Sequence, residues 1–355
     1  MSLKDRLKAA ISATGPMPVS AYMSQCLHDP ADGYYATQPG LGSDFTTAPE
    51  TSQIFGELLG LWAAHEWRMI GAPGSVSLVE LGPGRGVMMA DALRAASAAS
   101  AASGMSDFAK ALSLTLIEAS PALRELQGER LAPWRPVFKS ALADVAPGHT
   151  LILANEYLDC LPARQFVQQA GEWRERVVGL DQNENLSFGL AVDRAPQDIA
   201  PGAHVAVEVQ PGLETLVEEL KARAEAGDVF RALFIDYGPD KTAPGDSLRA
   251  YKNGAQSDPL AEPGACDLTV DVDFGRLKRL ATAAGLSVSG PLSQGGFLGA
   301  LGVQARLDAL IKTHPDKAER LFEGASKLVD PSQMGARFKV ICLSSPGLPP
   351  PAGLS

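Results

Sequence analysis

The chain has 355 residues, which suits one large domain or two of ordinary size. Its formal net charge of -10, with no run of basic residues, indicates a surface that repels nucleic acid and anionic membranes. No apolar run reaches the ~18 residues of a membrane span, and the N-terminal stretch lacks the apolar core of a signal peptide. We therefore predict a cytoplasmic protein with no nucleic-acid partner and no membrane insertion.

The first 75 residues are predicted to form a helical segment ahead of the main domain. Thr47 and Glu50 have the spacing of a capping box, so a helix is predicted to begin at Thr47. The loop before this helix is rich in Gly, Pro and Asp. It is expected either to close over a site as a lid or to pack on the core, and it carries Tyr34, Tyr35 and Asp44.

From residue 76 onward, apolar strands alternate with helices. Strands that alternate with helices indicate a parallel sheet covered on both faces. The predicted fold class is therefore α/β, with a doubly wound sheet. The first predicted strands cover 76–81, 112–120, 136–140 and 149–156.

The regular alternation stops after the fourth strand. Residues 163–209 are predicted to form antiparallel β-structure on the substrate side, 239–272 a long loop, and 297–330 roughly two helices. We treat all three as insertions. The expected organisation is a helical segment at 1–75, a main domain at 76–345 and a flexible, proline-rich tail at 346–355.

A glycine-rich turn, LVELGPGRG, lies at 78–86. Gly82, Gly84 and Gly86 let the backbone approach a ligand closely, and a helix begins directly afterwards. The turn is not a Walker A loop, because no Gly-Lys-Ser/Thr follows, and it is not GxGxxG, because residue 87 is Val. The spacing alone is compatible with a nucleoside-binding turn or with a plain tight turn.

Two carboxylates sharpen the interpretation of the turn. Glu80 stands two residues before Gly82, where it would repel a pyrophosphate but attract an ammonium or sulfonium group. Glu118 ends the second strand, where a carboxylate can accept both hydroxyls of a ribose. Together they favour a nucleoside that carries positive charge, and S-adenosylmethionine (SAM) is that molecule. An NAD-type cofactor and the absence of any ligand are the alternatives.

The stretch ANEYLD follows the fourth strand, beside the predicted switch in strand order where open α/β sheets bind ligands. Helical spacing would put Glu156 and Asp159 within one turn of each other, with Asn155 beside them. The two carboxylates are either a pair that binds a cationic acceptor or acidic residues at a helix N-terminus, where the helix dipole stabilises them in any case. We expect the first. Asp236, in the strand FIDYG, is expected either to face the same cleft or to cap the next turn.

Cysteine and histidine positions argue against a metal site. The four cysteines form no CxxC pair, and the five histidines form no pair at helical spacing. We predict no bound metal, and the cysteines are expected to be buried thiols in a reducing compartment.

Several long motifs make the chain similar to a known family. It resembles the MidA-like SAM-dependent methyltransferases over nearly its whole length. One departure is Ser43, where glycine is expected. The resemblance rests on the stretches DPADGYYA, GSDFTTAPETSQIFGELLGLW, LVELGPGRG, LIEASPALR, ANEYLDCLPARQF and SQGGFLGALG.

The resemblance implies a class I methyltransferase sheet of seven strands, the last antiparallel, with SAM at the three glycines and its ribose at Glu118. Mitochondrial members of the family assist assembly of respiratory complex I and are linked to symmetric dimethylation of an arginine in one subunit. In-line methyl transfer to a protein arginine is therefore expected, with Glu156 first and Asp159 second as the groups that grip it. A SAM-binding assembly factor without catalysis and a small-molecule methyltransferase are the alternatives.

Overall fold

The structure is a computed structural model that describes residues 1–37, 47–103, 106–194 and 206–354. The helices are α1 (Leu3–Thr14), α2 (Val19–His28), α3 (Tyr34–Thr37), α4 (Ala48–Thr51), α5 (Gln53–Met69), α6 (Val87–Ser103), α7 (Ser106–Ala111), α8 (Pro121–Arg130), α9 (Pro211–Glu225), α10 (Phe274–Ala283), α11 (Gln294–Ala300), α12 (Val303–Thr313), α13 (Ala318–Val329) and α14 (Met334–Arg337). The strands are β1 (Met17–Pro18), β2 (Val76–Leu81), β3 (Leu112–Ile117), β4 (Val137–Lys139), β5 (His149–Asn155), β6 (Arg164–Gln169), β7 (Glu172–Leu180), β8 (Leu186–Arg194), β9 (Ala206–Val209), β10 (Val229–Tyr237), β11 (Arg249–Lys252), β12 (Ala255–Ser257), β13 (Asp267–Thr269), β14 (Ser287–Ser293) and β15 (Phe338–Ser344). None of the helices described is long and apolar enough to cross a membrane.

A seven-stranded sheet forms the centre of one unit of the fold, which we call the sheet unit. Its strand order is β14-β15-β10-β5-β2-β3-β4. Strand β15 runs antiparallel to both neighbours, whereas β10, β5, β2, β3 and β4 pair in parallel. The predicted α/β class is therefore confirmed, and β2 and β5 are direct neighbours. The sheet unit comprises Thr46–Leu158, Leu216–Lys241 and Val272–Ser355.

Strand β5 shows why a continuous apolar run becomes a central strand. Thr150 to Ala154 are all buried, and β10 and β2 pair with the two edges of the strand, as in the centre of a covered parallel sheet. Leu151 and Leu153 pack in the same core as Trp62 of α5. Helix α5 approaches α6 closely: a Cβ added at Gly56 would lie only 2.7 Å from a backbone oxygen of α6.

The helix predicted to begin at Thr47 is interrupted. Helix α4 ends at Thr51, and Ser52 is extended, with φ of -156°. Its hydroxyl accepts a hydrogen bond from the Ile54 N–H (3.4 Å) and so begins α5. The Thr47 side chain makes no capping hydrogen bond. The predicted capping box at Thr47 is therefore wrong, and Ser52 is the residue that caps the long helix.

A second unit, the N-terminal unit, contains antiparallel β-structure and the first three helices. It comprises Met1–Phe45, Asp159–Thr215 and Thr242–Asp271. Strands β1, β6, β7, β8 and β9 form one sheet, and β11, β12 and β13 form another. The predicted segment 1–75 is thus divided, because β1 pairs with β7 (Met17 with Val178) whereas α5 packs on α6. The first 45 residues group with the two segments predicted as insertions at 163–209 and 239–272.

The proline-rich end of the chain is anchored up to residue 354, in contrast to the predicted flexible tail. The Ala352 N–H donates to Glu66 Oε1 (2.9 Å), and the Trp62 indole N–H donates to the Ala352 carbonyl (3.1 Å). Arg231 donates to the Pro349 carbonyl and forms a buried ion pair with Glu66 (3.1 Å). Because these groups are buried in the sheet unit, their hydrogen bonds hold the tail in place.

Candidate active site

The glycine turn leaves strand β2 in a conformation that glycine adopts readily. Gly82, Gly84 and Gly86 have φ values of +61°, +52° and +71°, in the left-handed region where a Cβ is strained. The Gly82 N–H donates to the Ile117 carbonyl at the end of β3 (3.2 Å). A Cβ added at Gly82 would lie 3.2 Å from Tyr157 Cδ2. The turn therefore brings bare backbone to the carboxyl ends of β2, β3 and β5.

Two buried carboxylates lie beside this turn. Glu80 and Glu118 are only 2% and 8% exposed. Burial, reinforced by repulsion from Glu118, raises the pKa of Glu80 to about 8. Burial also raises the pKa of Glu118, although hydrogen bonds from the Ser120 backbone and the Gln127 side chain oppose that shift. Two buried acids this close attract a cationic ligand, because a positive charge stabilises their ionised forms.

Both carboxylate oxygens of Glu118 are oriented by N–H donors. The Ser120 N–H donates to Oε1 (2.8 Å), and Gln127 Nε2 donates to Oε2 (3.1 Å). The same Gln127 nitrogen donates to the Gly84 carbonyl (2.7 Å). Gln127 was not predicted as a site residue, because in sequence it is one polar position of an amphipathic helix. Only the packing of α8 shows that it contacts the turn.

Glu156 lies directly after β5 in a left-handed conformation, with φ of +51°. Its N–H donates to the Ile235 carbonyl (2.9 Å), which fixes the backbone against β10. Its Oε1 accepts hydrogen bonds from Asn155 Nδ2 (2.9 Å) and from the Ala48 N–H (3.3 Å). An unfavourable backbone conformation that the surroundings hold in place is typical of functional sites. Asn155 and Glu156 are thus hydrogen-bonded to each other, and their role in a catalytic site stays a prediction.

Asp236, for which two roles were predicted, holds the chain next to Glu156. Its side chain is fully buried. Oδ2 accepts a hydrogen bond from the Leu158 N–H (2.8 Å), and Oδ1 accepts one from the Tyr237 N–H (2.9 Å). Asp236 therefore fastens the segment after β5 to the end of β10.

Asp159 belongs to the N-terminal unit, whereas Asn155 and Glu156 belong to the sheet unit. Asp159 is 3% exposed, and its Oδ1 lies 3.3 Å from the Cys160 sulfur. The structure does not form a helix from Glu156 onward; residues 156–161 are bends and turns. The predicted helical spacing of Glu156 and Asp159 is therefore wrong, because the left-handed φ at Glu156 is incompatible with a right-handed helix start.

Of the two tyrosines that the sequence assigned to a lid or a packed loop, Tyr34 is buried and Tyr35 is half-buried in the N-terminal unit. The Tyr35 hydroxyl lies 2.7 Å from Cys160 Sγ and donates to Asp267 Oδ1 (3.4 Å). Burial, reinforced by Asp267, raises the pKa of Tyr35 well above its usual value. The other residues of the predicted lid, Ser43 and Asp44, lie outside the described part of the chain.

The unsatisfied acceptors of the sheet unit indicate what ligand would fit there. Glu80 Oε2, Gln127 Oε1 and Asn155 Oδ1 are buried and have no hydrogen-bond partner among the described residues. Buried acceptors normally have donors, so a complementary ligand supplies N–H or O–H groups. A nucleoside with ribose hydroxyls and an ammonium group meets this requirement, whereas a pyrophosphate adds further acceptors. The residues present therefore fit SAM. Within the same described ranges, no group of three His, Cys, Asp or Glu is arranged to hold a metal.

Comparison with known proteins identifies relatives along the whole chain. Residues 58–292 match the model of a family described as S-adenosyl-L-methionine-dependent methyltransferases. A Mus musculus protein named protein arginine methyltransferase NDUFAF7, mitochondrial, is 38% identical over 94% of this chain and 82% of its own length. The Homo sapiens protein of the same name is 36% identical over 94% of this chain and 81% of its own length.

A solved structure from Burkholderia thailandensis shares the fold and contains a ligand. Its sequence is 26% identical to this chain, and the two structures align with a TM-score of 0.81. The alignment covers 99% of this chain and 94% of the solved structure. The ligand is S-adenosyl-homocysteine (SAH), which is SAM without the transferred methyl group. SAM is thus the cofactor of this family, in agreement with the prediction from Glu80 and Glu118.

One prediction is overturned by the relatives. The chain was expected to be cytoplasmic, but the mouse and human relatives are named as mitochondrial proteins, so the cytoplasmic assignment is wrong. The family itself is clear, because its model matches about two thirds of the residues and the relatives align with nearly all of them. The chain belongs to the SAM-dependent methyltransferase family that includes the NDUFAF7 proteins.

Proposed function

We propose that this protein transfers a methyl group from SAM to an arginine of a protein substrate. The observation that carries the proposal is the position of Glu156, which follows β5 directly beside the strand that leads into the glycine turn. A carboxylate there suits a cationic acceptor. The mouse and human relatives, named as protein arginine methyltransferases, support the same acceptor.

The sheet unit would hold SAM through residues with separate tasks. The bare backbone of Gly82, Gly84 and Gly86 permits close approach of the nucleoside. Glu118, already oriented by two N–H donors, would accept the ribose hydroxyls, and Glu80 would balance the positive charge. When bound, SAM supplies an electrophilic methyl group on a sulfonium.

The protein must also prepare the acceptor, because a guanidinium is protonated at neutral pH and has no acceptor lone pair. Glu156 is the first residue proposed to bind the substrate guanidinium, and Asp159 is the second, since carboxylates bind a guanidinium in a bidentate manner. Asn155 would hold the Glu156 carboxylate in place. Either carboxylate would accept the proton that the arginine loses. In-line positioning of the acceptor would supply much of the rate, as it gives ~7–11 kcal/mol in well-oriented reactions.

The proposed protein substrate is a subunit of respiratory complex I. The support is the resemblance to the MidA-like family, whose mitochondrial members assist assembly of that complex. We further propose that the N-terminal unit, which contains the antiparallel strands β6 to β9, binds this substrate. A β-rich addition of this size is more than a small acceptor molecule would need.

Methyl transfer from radiolabelled SAM in a cell extract tests the proposal. We expect label in one protein band, on an arginine located by mass spectrometry. Glu156→Gln should abolish the labelling while SAH binding, measured by calorimetry, persists. Glu125→Gln, at an exposed position of α8, is the matched control and should label normally. Label in small metabolites would contradict the protein acceptor, and SAH binding without any labelling would indicate a non-enzymatic assembly factor.

A further inference from the structure

Gln127 is a buried amide that contacts two parts of the cofactor region at once. It lies on α8, which begins after the Ser120 cap, and its side chain is fully buried. Its Nε2 donates both to the Gly84 carbonyl in the turn (2.7 Å) and to Glu118 Oε2 (3.1 Å). A single side chain therefore links the glycine turn to the carboxylate proposed to bind the ribose.

These two contacts determine which way the amide faces. An amide nitrogen has two hydrogens, and both Gly84 O and Glu118 Oε2 are acceptors, so the nitrogen and not the oxygen must point toward them. Both hydrogens are then used. The amide oxygen, Gln127 Oε1, is buried and has no hydrogen-bond partner among the described residues. A buried acceptor without a donor is uncommon in a folded protein and requires an explanation.

The aliphatic part of the side chain lies against the turn. A Cβ added at Gly86 would lie 3.6 Å from Gln127 Cγ and 3.4 Å from a methyl group of Leu131. Gln127 is thus hydrogen-bonded to Gly84 and Glu118 and lies close to Gly86. Each of these three residues was predicted to bind the cofactor, so the side chain of Gln127 lies next to the proposed SAM site.

We propose that Gln127 is a further SAM-binding residue, whose nitrogen positions Gly84 and Glu118 and whose oxygen accepts a hydrogen bond from the nucleoside of the cofactor. The donors of that nucleoside are the ribose hydroxyls and the adenine amino group. The inference rests on SAM as the cofactor, but it does not depend on the nature of the methyl acceptor.

Calorimetry with SAH and two of its analogues tests the proposal on the wild-type protein. A 2′-deoxy analogue lacks one ribose donor, and an N6-dimethyl analogue lacks the adenine donors. We expect one of them to bind about tenfold or more weakly than SAH, as expected for a buried acceptor that loses its donor. Equal affinity for SAH and both analogues would overturn the proposal without any substitution that risks misfolding.

The variant Gln127→Met removes both polar atoms at similar volume and separates the two roles. It should weaken SAH binding at least tenfold, and its preference for SAH over the discriminating analogue should be clearly smaller than that of the wild type, because only the contribution of Glu118 remains. Glu125→Gln on the same helix should keep wild-type values. If Gln127→Met is folded by circular dichroism and discriminates between the ligands as strongly as the wild type, Gln127 Oε1 does not contact the nucleoside. Wild-type SAH binding without methyl transfer to protein would contradict the proposed function but leave this inference unaffected.

Discussion

Arg85 in the glycine turn forms an ion pair with Glu50 on α4, with Nε and Nη2 lying 2.8 and 2.5 Å from Glu50 Oε1. Two residues before Glu50, the Ala48 N–H donates to Glu156 Oε1. The four-residue helix α4 therefore connects the turn with the carboxylate proposed to grip the acceptor. Glu50, which the sequence predicted to complete a capping box with Thr47, forms this ion pair with Arg85 instead.

Exchange of the two charges tests whether α4 couples these parts. Arg85→Glu and Glu50→Arg should each lower methyl transfer, and the double exchange should restore part of it. Because the Arg85 side chain is 38% exposed, we expect a coupling of only about 0.2–1 kcal/mol from a double-mutant cycle. The same exchange at Lys221 and Glu225 on α9 is the control. Single variants that match the wild type in both SAH affinity and turnover would exclude the coupling.

SAM affinity should depend on pH through Glu80. The pKa of this buried carboxyl is raised to about 8, so below that pH it must lose its proton before it can balance a sulfonium. Affinity should therefore rise with pH up to about 8 and then level off, with at most about a tenfold gain per pH unit. Isothermal titration calorimetry between pH 6 and 9 measures this, and proton release on binding should accompany it.

The substitution Glu80→Gln provides the control for that pH dependence. It should bind SAM less tightly at pH 9 but with a flat profile. The folding stability of the ligand-free protein should depend on pH in the opposite direction. A carboxyl whose pKa is raised on folding stabilises the fold at low pH and loses that contribution as the pH rises through its folded value, here about 8. A steep profile that persists in Glu80→Gln would assign the effect to another group.

Asp236→Asn should separate positioning from cofactor binding. The asparagine keeps one acceptor oxygen but presents its amide nitrogen to either the Leu158 or the Tyr237 N–H. A buried N–H that loses its acceptor in this way costs about 1–3 kcal/mol of stability. We expect turnover to fall roughly tenfold or more, since Glu156 precedes Leu158 by two residues, while SAH affinity changes less than about twofold. Asp240→Asn, at an exposed position, should behave as wild type. Equal losses in turnover and affinity would contradict a role confined to the Glu156 segment.

The buried ion pair between Glu66 and Arg231 should be needed for stability. Arg231→Met leaves the Glu66 carboxylate buried with no charged partner, which costs about 3–5 kcal/mol in comparable cases. The free energy of unfolding in urea measures the loss. Arg68→Met, an exposed position on the same helix as Glu66, is the control. The double variant Glu66→Gln, Arg231→Met should lose less free energy of unfolding than Arg231→Met alone, because no unpaired charge remains.

The sheet and the cofactor could be predicted because their signals are local. The apolar run of β5, the glycines of the turn and the acids Glu80 and Glu118 lie within or directly beside predicted strands. Their meeting at one edge then follows from parallel strand order alone.

The remaining features depend on contacts between distant parts of the chain. No pattern near Gln127 indicates that its amide reaches Gly84, and none near Arg85 indicates Glu50. The wrong helix after β5 has a local cause: the residues ANEYLD have helical spacing, but a left-handed φ at Glu156 prevents the helix. The division of the first 75 residues was missed because the pairing of Met17 with Val178 is invisible in either stretch.

The pairing of β1 with β7 also has a consequence for biosynthesis. The ribosome must add about 160 residues after Met17 before Val178 exists, which takes roughly 8–32 seconds at about 5–20 residues per second. During that time the apolar side chains of α2, such as Tyr22 and Met23, lack the members of their core that come later in the chain, such as Val178 and Leu268. We expect the nascent chain to depend on a chaperone that shields this helix until the sheet is complete.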